Sequence, residues 1–351
     1  MARYLEVPDH HTRIGYRVAE TLESMAHHGQ APDIVVGHIG WGSMMFVKDV
    51  LPLVPPALGY CEFFYRANGA DVGFAPGDRP DIETRKRLRL RNMAQLVTLE
   101  GIDGGFSPTH WQKSLYPRSV QNRIAVVHEG GVDTKLFYPD RHATIQLPDG
   151  RTLKAGESRV ITFVARDLEP YRGFPQALEA AAKVIRQNDD AIFVFVGGDG
   201  VSYGTPPPGG GSWREHLVGN LDLPPDRIVF PGTIPHVQLR KLYQISTAHI
   251  YLTYPFVLSW SVVEAMACGA LIIGSDTPPV RELIRSGQNG LLVPFFEPDV
   301  LAEVIMNVLR DPPDACLQMR AAARRTVETR FRLSDCLRQQ KTLIEAVLNG
   351  R

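Results

Sequence analysis

Short apolar runs alternate with amphipathic segments along most of this chain. Ile14, Val18, Leu22 and Met25 recur at spacings of four and three, which predicts a helix over residues 14–28. The apolar runs are bounded by glycine, proline or polar residues and predict short buried strands. Predicted strands lie at residues 33–37, 57–61, 104–106, 123–128, 159–164, 191–196, 228–230, 249–254, 271–274 and 290–293. Strands that alternate with helices in this way predict a parallel α/β architecture.

The strand and helix pattern occurs twice, and residues 139–158 separate the two halves. This segment has few apolar side chains and contains Pro148, Asp149 and Gly150, which predicts a linker with a small hairpin at its centre. With 351 residues the chain is long enough for about two domains. We therefore expect two doubly wound domains facing a cleft, over residues 1–150 and 151–330. A last helix within 331–351 is expected to pack back across the domains.

Composition and charge exclude several classes of protein. The 38 basic and 38 acidic residues cancel, so nothing in the net charge favours nucleic acid as a partner. The four cysteines are far apart and form no CxxC pair, as is typical of reduced cytosolic thiols. No apolar run is long enough to span a membrane, and charges near the N-terminus argue against a signal peptide. These features predict a cytoplasmic protein.

A basic segment opens the helix predicted over residues 82–100. It contains Arg85, Lys86, Arg87, Arg89 and Arg91. Such a run is usually a solvated helix face, which is the interpretation we favour. The alternative is peripheral contact with the anionic inner face of a membrane.

The segment from residue 250 to residue 269 combines a strand with a helix N-terminus. Pro255 is expected to end the strand, and a helix is predicted to start near Ser261 and to stop at Gly269. Unpaired N–H groups and the helix dipole make such a helix N-terminus a natural phosphate site. Glu264 could bind a nucleotide ribose there, or it could form a capping box with Ser261. The local pattern leaves both interpretations open.

Two arginines, Arg166 and Arg172, follow the first predicted strand of the second domain. Guanidinium groups match phosphate oxygens in a bidentate way and could neutralise a departing diphosphate. The alternative is that one of them pairs with Asp167 or Glu169.

In the first domain, four candidate site residues follow predicted strands. They are His38, Trp41, Glu62 and Arg66. Ligands of parallel sheets gather at the carboxyl ends of strands, which makes these side chains candidates on position alone. Surface or packing roles are the alternative for each.

Several motifs of other enzyme classes are missing from the sequence. A dinucleotide fingerprint after the strand at 191–196 would need glycine where Tyr203 stands. The sequence contains no GxxxxGK[ST], HExxH, DxD or GxSxG pattern. An oxidoreductase is therefore disfavoured, the motifs of P-loop NTPases, zinc metalloproteases and serine hydrolases are absent, and no metal or cofactor is expected.

Together these segments resemble a known family. Residues 161–311 look like the donor domain of retaining glycosyltransferases of family 4, which have the two-Rossmann GT-B architecture. The first domain shows similar landmarks, so the resemblance covers most of the chain. The residues that carry it are Arg166, Arg172-Gly173, 196–200, 230–232, 263–269, Glu282 and 289–293, with Ser107-Pro108, 131–133, Phe137 and Pro139 in the first domain.

The resemblance implies a role for particular positions. Arg166 and Arg172 would hold the donor phosphates, although the family usually has lysine at the second place, and Glu264 would bind the ribose. His38 and Glu62 would act on the acceptor side. The remaining donor-binding positions would be Gly198, Asp199, Gly232, Thr233, Ile234, Leu258, Ser259, Trp260 and Ser261.

The function that the resemblance implies is sugar transfer with retention of anomeric configuration. The donor would be a nucleotide-diphosphate sugar, and the acceptor a glycan, a lipid or a small molecule. Two alternatives stay open: a catalytically weak nucleotide-sugar-binding protein, and a nucleotide-sugar epimerase of the same fold.

The chain departs from the family pattern in three places. Phe256 stands where the first glutamate of the family's Glu-x7-Glu motif faces the transferred sugar, and Glu62 stands where a histidine is common. Roughly 70 to 90 residues of the usual first domain have no counterpart, judged from the size of βα units. We therefore expect an N-terminal sheet with fewer strands and an exposed apolar edge, which invites self-association.

Overall fold

The computed structural model describes residues 3–50, 55–219, 221, 223–312 and 314–350. These residues form two compact units. Unit 1 comprises Met1–Gly131, Pro255–Val257 and Ser334–Arg351. Unit 2 comprises Val132–Tyr254 and Leu258–Leu333. Each unit contains its own parallel sheet, which confirms the predicted α/β fold with two Rossmann-like domains.

Among the described residues of unit 1, four parallel strands form a sheet in the order β1-β2-β3-β4. Each lies at or within one residue of a predicted strand. The strands are β1 Val35–His38, β2 Ala57–Tyr60, β3 Gly104–Ser107 and β4 Ile124–Val126. The helices of this unit are α1 Glu6–His27, α2 Val47–Val50, α3 Ile82–Arg91, α4 Met93–Gly101, α5 His110–Ser114, α6 Arg118–Gln121 and α14 Leu333–Leu348. The expectation of a shortened first domain stays a prediction.

The basic helix predicted over residues 82–100 is two helices, α3 and α4, which meet at Asn92. Asn92 is buried, and its side chain accepts a hydrogen bond from the Tyr65 N–H at 3.1 Å and donates one to the Tyr65 carbonyl at 2.9 Å. Helix α3 buries none of its side chains, in agreement with a solvated basic face. No helix among the described residues has the length and hydropathy needed to cross a membrane.

In the part of unit 2 that the structure describes, six parallel strands form a sheet in the order β12-β11-β10-β7-β8-β9. They are β7 Val160–Asp167, β8 Ile192–Gly198, β9 Ile228–Gly232, β10 Ala248–Tyr251, β11 Ile272–Ser275 and β12 Leu291–Val293. Strand β10 ends at Tyr251, earlier than expected from Pro255, because the Thr253 N–H turns to the Ser275 hydroxyl at 3.1 Å.

Seven helices of unit 2 surround this sheet in the described part of the chain. They are α7 Phe174–Ile185, α8 Trp213–Val218, α9 His236–Ile245, α10 Trp260–Ala267, α11 Pro278–Leu283, α12 Pro298–Arg310 and α13 Leu317–Arg330. Helices α8, α12 and α13 were not among the predicted elements. In α13 only Ala323 and Val327 are buried, so its apolar face is too narrow for a clear helical pattern in the sequence.

The predicted hairpin is present, as the antiparallel strands β5 Thr144–Gln146 and β6 Thr152–Lys154. Its apolar side chains Ile145 and Leu153 pack in one cluster with Val194 and Leu242 of unit 2. The boundary between the units therefore lies at residues 131–132 and not at residue 150.

The C-terminal helix α14 follows α13 of unit 2 in the chain and belongs to unit 1, and the expectation that it packs back across the domains stays a prediction. Residues from Ser334 onward belong to unit 1, because Leu343 and Val347 pack against Leu58 and Phe106 of its sheet.

Candidate functional site

The strand order of unit 2 reverses between β7 and β10, which are neighbours at the centre of the sheet. Connections leave the two strands in opposite directions at such a switch point, and the crevice between them is where open α/β sheets bind ligands. Arg166 lies at the end of β7 and Arg172 in the turn that follows it. Helix α10 follows β10. The topology therefore brings both arginines and the N-terminus of α10 to the same switch point.

Arg172 and the start of α10 are both attached to the end of β10. The Arg172 side chain is buried and donates from Nη1 to Thr253 Oγ1 at 2.8 Å. The Tyr251 hydroxyl accepts the Ser259 N–H at 2.7 Å. Burial raises the pKa of Tyr251, and the positive charge of Arg172 and the Ser259 N–H oppose that shift. The guanidinium and the helix N-terminus are thus held at the same strand end.

The turn that carries Arg172 depends on Gly173. This glycine has a φ of 73°, and a Cβ there would lie 2.4 Å from the Cβ of Leu252. Only glycine allows the backbone to approach so closely in this conformation. The Tyr254 N–H adds a hydrogen bond to the Tyr171 carbonyl at 3.0 Å. The turn after β7 is therefore attached to the segment after β10.

Arg166 has a different environment. Its side chain is exposed, and its guanidinium makes no hydrogen bond or ion pair with any residue that the structure describes. It is therefore available to an anionic ligand.

Asp167 and Glu169, the two carboxylates that could have paired with these arginines, hold the loop after β8. Asp167 accepts the Gly200 N–H at 3.1 Å and the Ser202 hydroxyl. The buried Glu169 accepts N–H groups of residues 202–204, the shortest at 2.9 Å from Gly204. Their role in this structure is to fix a loop.

The predicted positions at the end of β8 have structural contacts. Asp199 pairs with Arg214 at 2.5 Å between Oδ2 and Nη2. Gly198 is the last residue of β8 and lies beside Asp167. Neither residue has a contact that marks it as donor-binding.

Helix α10 is capped by Ser259. The Ser259 hydroxyl oxygen accepts the Ser261 N–H at 3.3 Å and the Ser261 hydroxyl at 2.9 Å. Trp260, the first residue of the helix, is 44% exposed, whereas Leu258 packs on the apolar core of unit 2. The capping-box interpretation of Ser261 and Glu264 does not hold, because the helix begins earlier than predicted.

Glu264 instead contacts His236, the first residue of α9. The distance from His236 Nε2 to Glu264 Oε1 is 2.9 Å, and the two side chains are 58% and 9% exposed. Burial raises the pKa of Glu264, and the bond to His236 opposes that shift. The His236 ring lies 5.0 Å from the ring of Phe137. His236 was missed by sequence reasoning, because no local pattern connects residues so far apart in the chain.

Gly232 is the last residue of β9 and has a φ of 71°, and Thr233 and Ile234 lie in the connection from β9 to α9. Thr233 and Ile234 line a cavity of about 570 Å³. The opposite wall of this cavity is the hairpin of β5 and β6, together with Gln238 and Lys241 of α9.

In unit 1, three of the four predicted residues come together. His38 Nε2 lies 3.2 Å from Glu62 Oε2, and the Trp41 ring stacks on the His38 ring at 4.3 Å. Arg66 has a packing role instead: its Nε donates to the Leu115 carbonyl at 2.5 Å. Burial lowers the pKa of its guanidinium.

Phe256, which replaces the family's first glutamate, is a buried residue of unit 1. Its ring packs 4.6 Å from the ring of Phe63. The position has an apolar contact where a sugar-binding carboxylate was the usual residue.

No group of three or more His, Cys, Asp or Glu side chains comes together as a metal site would require, within the ranges that the structure describes. Metal independence stays a prediction.

Comparison with family models gives two matches. The model described as glycosyl transferase family 4 group matches residues 1–137. The model described as glycosyl transferases group 1 matches residues 149–326, which is half of the chain.

Curated relatives match the chain at low sequence identity. A D-inositol 3-phosphate glycosyltransferase of Acidothermus cellulolyticus is 28% identical over 195 residues, covering 54% of this chain and 41% of the relative. One of Thermobifida fusca is 24% identical, covering 69% and 54%. An N-acetyl-alpha-D-glucosaminyl L-malate synthase of Bacillus anthracis is 26% identical, covering 55% and 47%. The chain spans about half the length of the curated relatives it matches.

Solved structures share the fold. Sucrose-phosphate synthase of Thermosynechococcus elongatus superposes with a TM-score of 0.69 at 20% identity, covering 96% of this chain and 80% of that one. Anabaena HepE in complex with UDP-glucose superposes with a TM-score of 0.67 at 15% identity, covering 95% of this chain and 84% of that one. At these identities the likeness concerns the fold, which is the GT-B class with two Rossmann-like domains.

Proposed function

The chain belongs to the glycosyl transferases group 1 family, and we propose that it transfers a sugar from a nucleotide-diphosphate donor with retention of anomeric configuration. The observation that carries the proposal is that Arg172 bonds to Thr253 and the Ser259 N–H bonds to the Tyr251 hydroxyl, which holds the guanidinium and the N-terminus of α10 at the end of β10, at the switch point of unit 2. That is an arrangement of positive charge and N–H dipoles at the place where this class of sheet binds ligands.

The diphosphate is the part of the donor that this arrangement recognises. Arg172 is held in place before any ligand arrives, and Arg166 is exposed with no competing partner among the described residues. Charge-assisted bonds from guanidinium groups to phosphate oxygens are strong and directional. The first N–H groups of α10 add partial positive charge.

The nucleoside is recognised by Glu264 and the turn of residues 232–234. Glu264 is a nearly buried carboxylate whose one oxygen is held by His236, so its other oxygen can accept a ribose hydroxyl. The turn after β9 offers backbone groups to the base. The solved complexes of HepE with UDP-glucose and with UDP, which share this fold, support a nucleotide-diphosphate sugar as the donor class.

In the proposed reaction the bond from the anomeric carbon to the phosphate oxygen breaks. The acceptor oxygen bonds to the same face of the anomeric carbon, and its proton passes to the leaving phosphate oxygen. Arg166 and Arg172 stabilise the negative charge that develops on the diphosphate. Because this charge is compensated by side chains and helix N–H groups, we propose that no metal is required.

The experiment measures binding of UDP, GDP and ADP to the whole chain by calorimetry in the presence of EDTA. We expect one of them to bind, and Arg166→Ala to weaken it by about 10- to 100-fold, the value of a charge-assisted hydrogen bond. Arg172→Lys keeps the charge and should weaken binding less than Arg172→Ala. The matched control is Arg186→Ala, which removes an exposed arginine at the C-terminal end of α7. It should leave nucleotide binding unchanged.

Failure of all three nucleotides to bind would contradict the proposal. Equal affinity of the Arg166→Ala variant and the wild type would place the diphosphate elsewhere.

A catalytically weak nucleotide-sugar-binding protein is the second candidate. It is favoured by Phe256, which packs on Phe63 and offers no carboxylate to the transferred sugar. Product analysis of a UDP-sugar incubated with and without saccharide acceptors separates the candidates. Binding without turnover supports the second candidate, and a new nucleotide sugar formed without acceptor indicates an epimerase.

We also propose that the protein acts in the cytoplasm, since its four cysteines are free thiols. This proposal includes peripheral contact with an anionic membrane through the exposed basic helix α3. A lipid-linked acceptor is then one option. The parallel strand β1 lies at the edge of its sheet in the described residues, where self-association would occur.

A further inference from the structure

Glu169 is a fully buried carboxylate that bonds only to backbone N–H groups among the described residues. Its Oε1 accepts the N–H groups of Ser202 at 3.3 Å and Tyr203 at 3.1 Å, and its Oε2 accepts the Gly204 N–H at 2.9 Å. Successive N–H groups of this kind form a concavity that binds an anion. Such bonds are needed because a buried charge without them is costly. The carboxylate therefore fixes the loop of residues 202–204.

The backbone of Glu169 organises a second segment, the turn that carries Arg172. The Glu169 carbonyl accepts the N–H groups of Arg172 and Phe174, each at 3.3 Å. Gly204 allows the loop to come close, since a Cβ there would lie 3.2 Å from Glu169 Oε2. One residue thus joins the turn after β7 to the loop after β8.

The loop that Glu169 holds places the Tyr203 ring against Arg172. The Arg172 Cζ lies 5.1 Å from the centroid of the Tyr203 ring, and this ring lies 6.0 Å from the ring of Tyr171. A cation over an aromatic face at this distance is attracted by the ring. The Tyr203 side chain is 36% exposed and Arg172 only 7%. Tyr203 is therefore part of the surroundings that bury the guanidinium.

Two contacts on different segments set the orientation of this guanidinium. Arg172 Nη1 donates to Thr253 Oγ1 at 2.8 Å, and the Tyr203 ring lies against the group as a whole. A guanidinium binds phosphate oxygens through a planar fork of N–H groups, so the strength of the contact depends on the orientation of that plane. Losing either contact would leave the charge in place but allow the plane to rotate.

We propose that Glu169 is a positioning residue for diphosphate recognition. It keeps Tyr203 against Arg172, so that the guanidinium meets the phosphate oxygens in one orientation. The inference rests on the proposed function and adds two residues to it. Neither was predicted for this role, because Glu169 was considered only as an ion-pair partner and Tyr203 only as a departure from a dinucleotide fingerprint.

Two other roles make different predictions. If Glu169 only stabilises the loop, its replacement lowers the melting temperature, and any effect on nucleotide affinity is independent of Arg172. If Tyr203 contacts the ligand through its hydroxyl, the ring alone does not support binding. The experiments below separate these roles from positioning.

The first experiment is a double-mutant cycle, measured by calorimetry with whichever of UDP, GDP and ADP binds. Glu169→Gln should weaken binding by about 3- to 10-fold, the value of the cation–π contact that it displaces. The cause is the amide NH₂, which cannot accept the loop N–H groups. In the Arg172→Ala background the same substitution should change affinity by less than about 2-fold, the usual error of additivity.

Tyr203 is tested by removal of its ring and by removal of its hydroxyl. Tyr203→Ala should weaken nucleotide binding about as much as Glu169→Gln, because the ring is lost. Tyr203→Phe should retain the affinity of the wild type, since the ring remains against Arg172. Gly204→Ala is a milder second way to separate the loop from Glu169, and it should weaken binding in the same direction.

The matched control is Glu215→Gln. Glu215 also accepts a backbone N–H, that of Ser212 at 3.1 Å, beyond the far end of the same connection between β8 and α8. Its replacement should leave nucleotide affinity unchanged. The melting temperature of every variant is measured alongside, so that a loss of stability is distinguished from a loss of affinity in folded protein.

The outcomes separate this inference from the proposed function. An equal effect of Glu169→Gln on nucleotide affinity in the wild-type and Arg172→Ala backgrounds overturns the positioning role alone. If Glu169→Gln does not fold, the same cycle with Gly204→Ala decides. A loss of affinity in Tyr203→Phe equal to that in Tyr203→Ala also overturns it.

Absence of nucleotide binding to the wild type contradicts the proposed function. The cycle is then measured with inorganic pyrophosphate as the probe. Pyrophosphate binding with the expected coupling between Glu169 and Arg172 supports the positioning role by itself, and absence of pyrophosphate binding overturns it too.

Discussion

Two segments of unit 2 share the pattern Ser-x-x-Glu and use it differently. Ser212 and Glu215 form a capping box at the start of α8: the Ser212 hydroxyl accepts the Glu215 N–H at 3.1 Å, and the Glu215 carboxylate accepts the Ser212 N–H at 3.1 Å. Ser261 and Glu264 have the same spacing, but Ser259 caps that helix and Glu264 contacts His236.

The difference lies in what surrounds each glutamate. Glu215 is at the surface, and hydrogen bonds from Ser212 lower its pKa. Glu264 is nearly buried, and burial raises its pKa. A buried carboxylate that makes no capping hydrogen bond to its own helix is typical of a functional residue. Identical local patterns therefore give a structural glutamate in one helix and a candidate ligand residue in the other.

The largest expected effect is on nucleotide affinity. Glu264→Gln should weaken binding of the nucleotide identified above by about 10-fold or more, because a charge-assisted bond to ribose is lost. Glu215→Gln should leave the affinity unchanged. Calorimetric titration of both variants measures this difference.

The ribose provides the control. A 2′,3′-dideoxynucleotide should bind wild type and Glu264→Gln equally, since it lacks the hydroxyls. The nucleotide affinity of His236→Ala should lie between those of the wild type and Glu264→Gln, because the carboxylate stays but loses its orientation. If Glu264→Gln weakens the ribonucleotide and the dideoxynucleotide equally, Glu264 does not bind the ribose.

A smaller effect is expected on the pH dependence of stability, with opposite signs at the two sites. The pKa of Glu215 is below the ordinary 4.5 in the folded state, so its carboxylate stabilises the fold above pH 4.5 and this is lost as the pH falls through the folded pKa. The pKa of Glu264 is above 4.5, so ionisation costs stability above its folded pKa and the cost disappears below 4.5.

The measurement is the melting temperature at pH 7 and at pH 4. Relative to wild type, Glu215→Gln should be less stable at pH 7, with a smaller difference at pH 4. The melting temperature of Glu264→Gln, taken relative to that of the wild type, should be higher at pH 7 than at pH 4. The same sign for both variants would mean that burial does not dominate at Glu264.

The smallest effect concerns the caps themselves. Ser212→Ala and Ser259→Ala should each lower the free energy of unfolding by about 1 kcal/mol, because each removes an N-cap acceptor. Ser261→Ala should cost less, since it removes only a hydroxyl bond to Ser259. Hydrogen–deuterium exchange of the first turns of α8 and α10 localises each change. A larger loss for Ser261→Ala than for Ser259→Ala would contradict the observed cap.

Much of the fold could be predicted because its signals are local. The strands are short runs of branched residues, and Gly269 stops α10 with a φ of 77°. The hairpin near Pro148-Asp149-Gly150 was likewise visible in the sequence. Helix α13 escaped prediction since few of its positions are apolar, and the break at Asn92 depends on a backbone partner at Tyr65.

The candidate site was predicted only in part. Arg166, Arg172 and Glu264 were predicted from residue type and position after a strand, and their role as ligand residues stays a prediction, whereas Asp199 and Arg66 were expected at the site but have packing or ion-pair contacts. His236 and Tyr251 had no signal in the sequence, because each acts through a contact with a distant segment.

The sequence by itself determined the alternation of strands and helices, the two Rossmann-like halves and the family, since each depends on residues close together in the chain. Tertiary structure decided which glutamate caps a helix and which contacts a histidine, which arginine is buried and which is exposed, and what Phe256 contacts. These depend on burial and on partners many residues away, and the free energy of a carboxylate or a guanidinium is set by those surroundings.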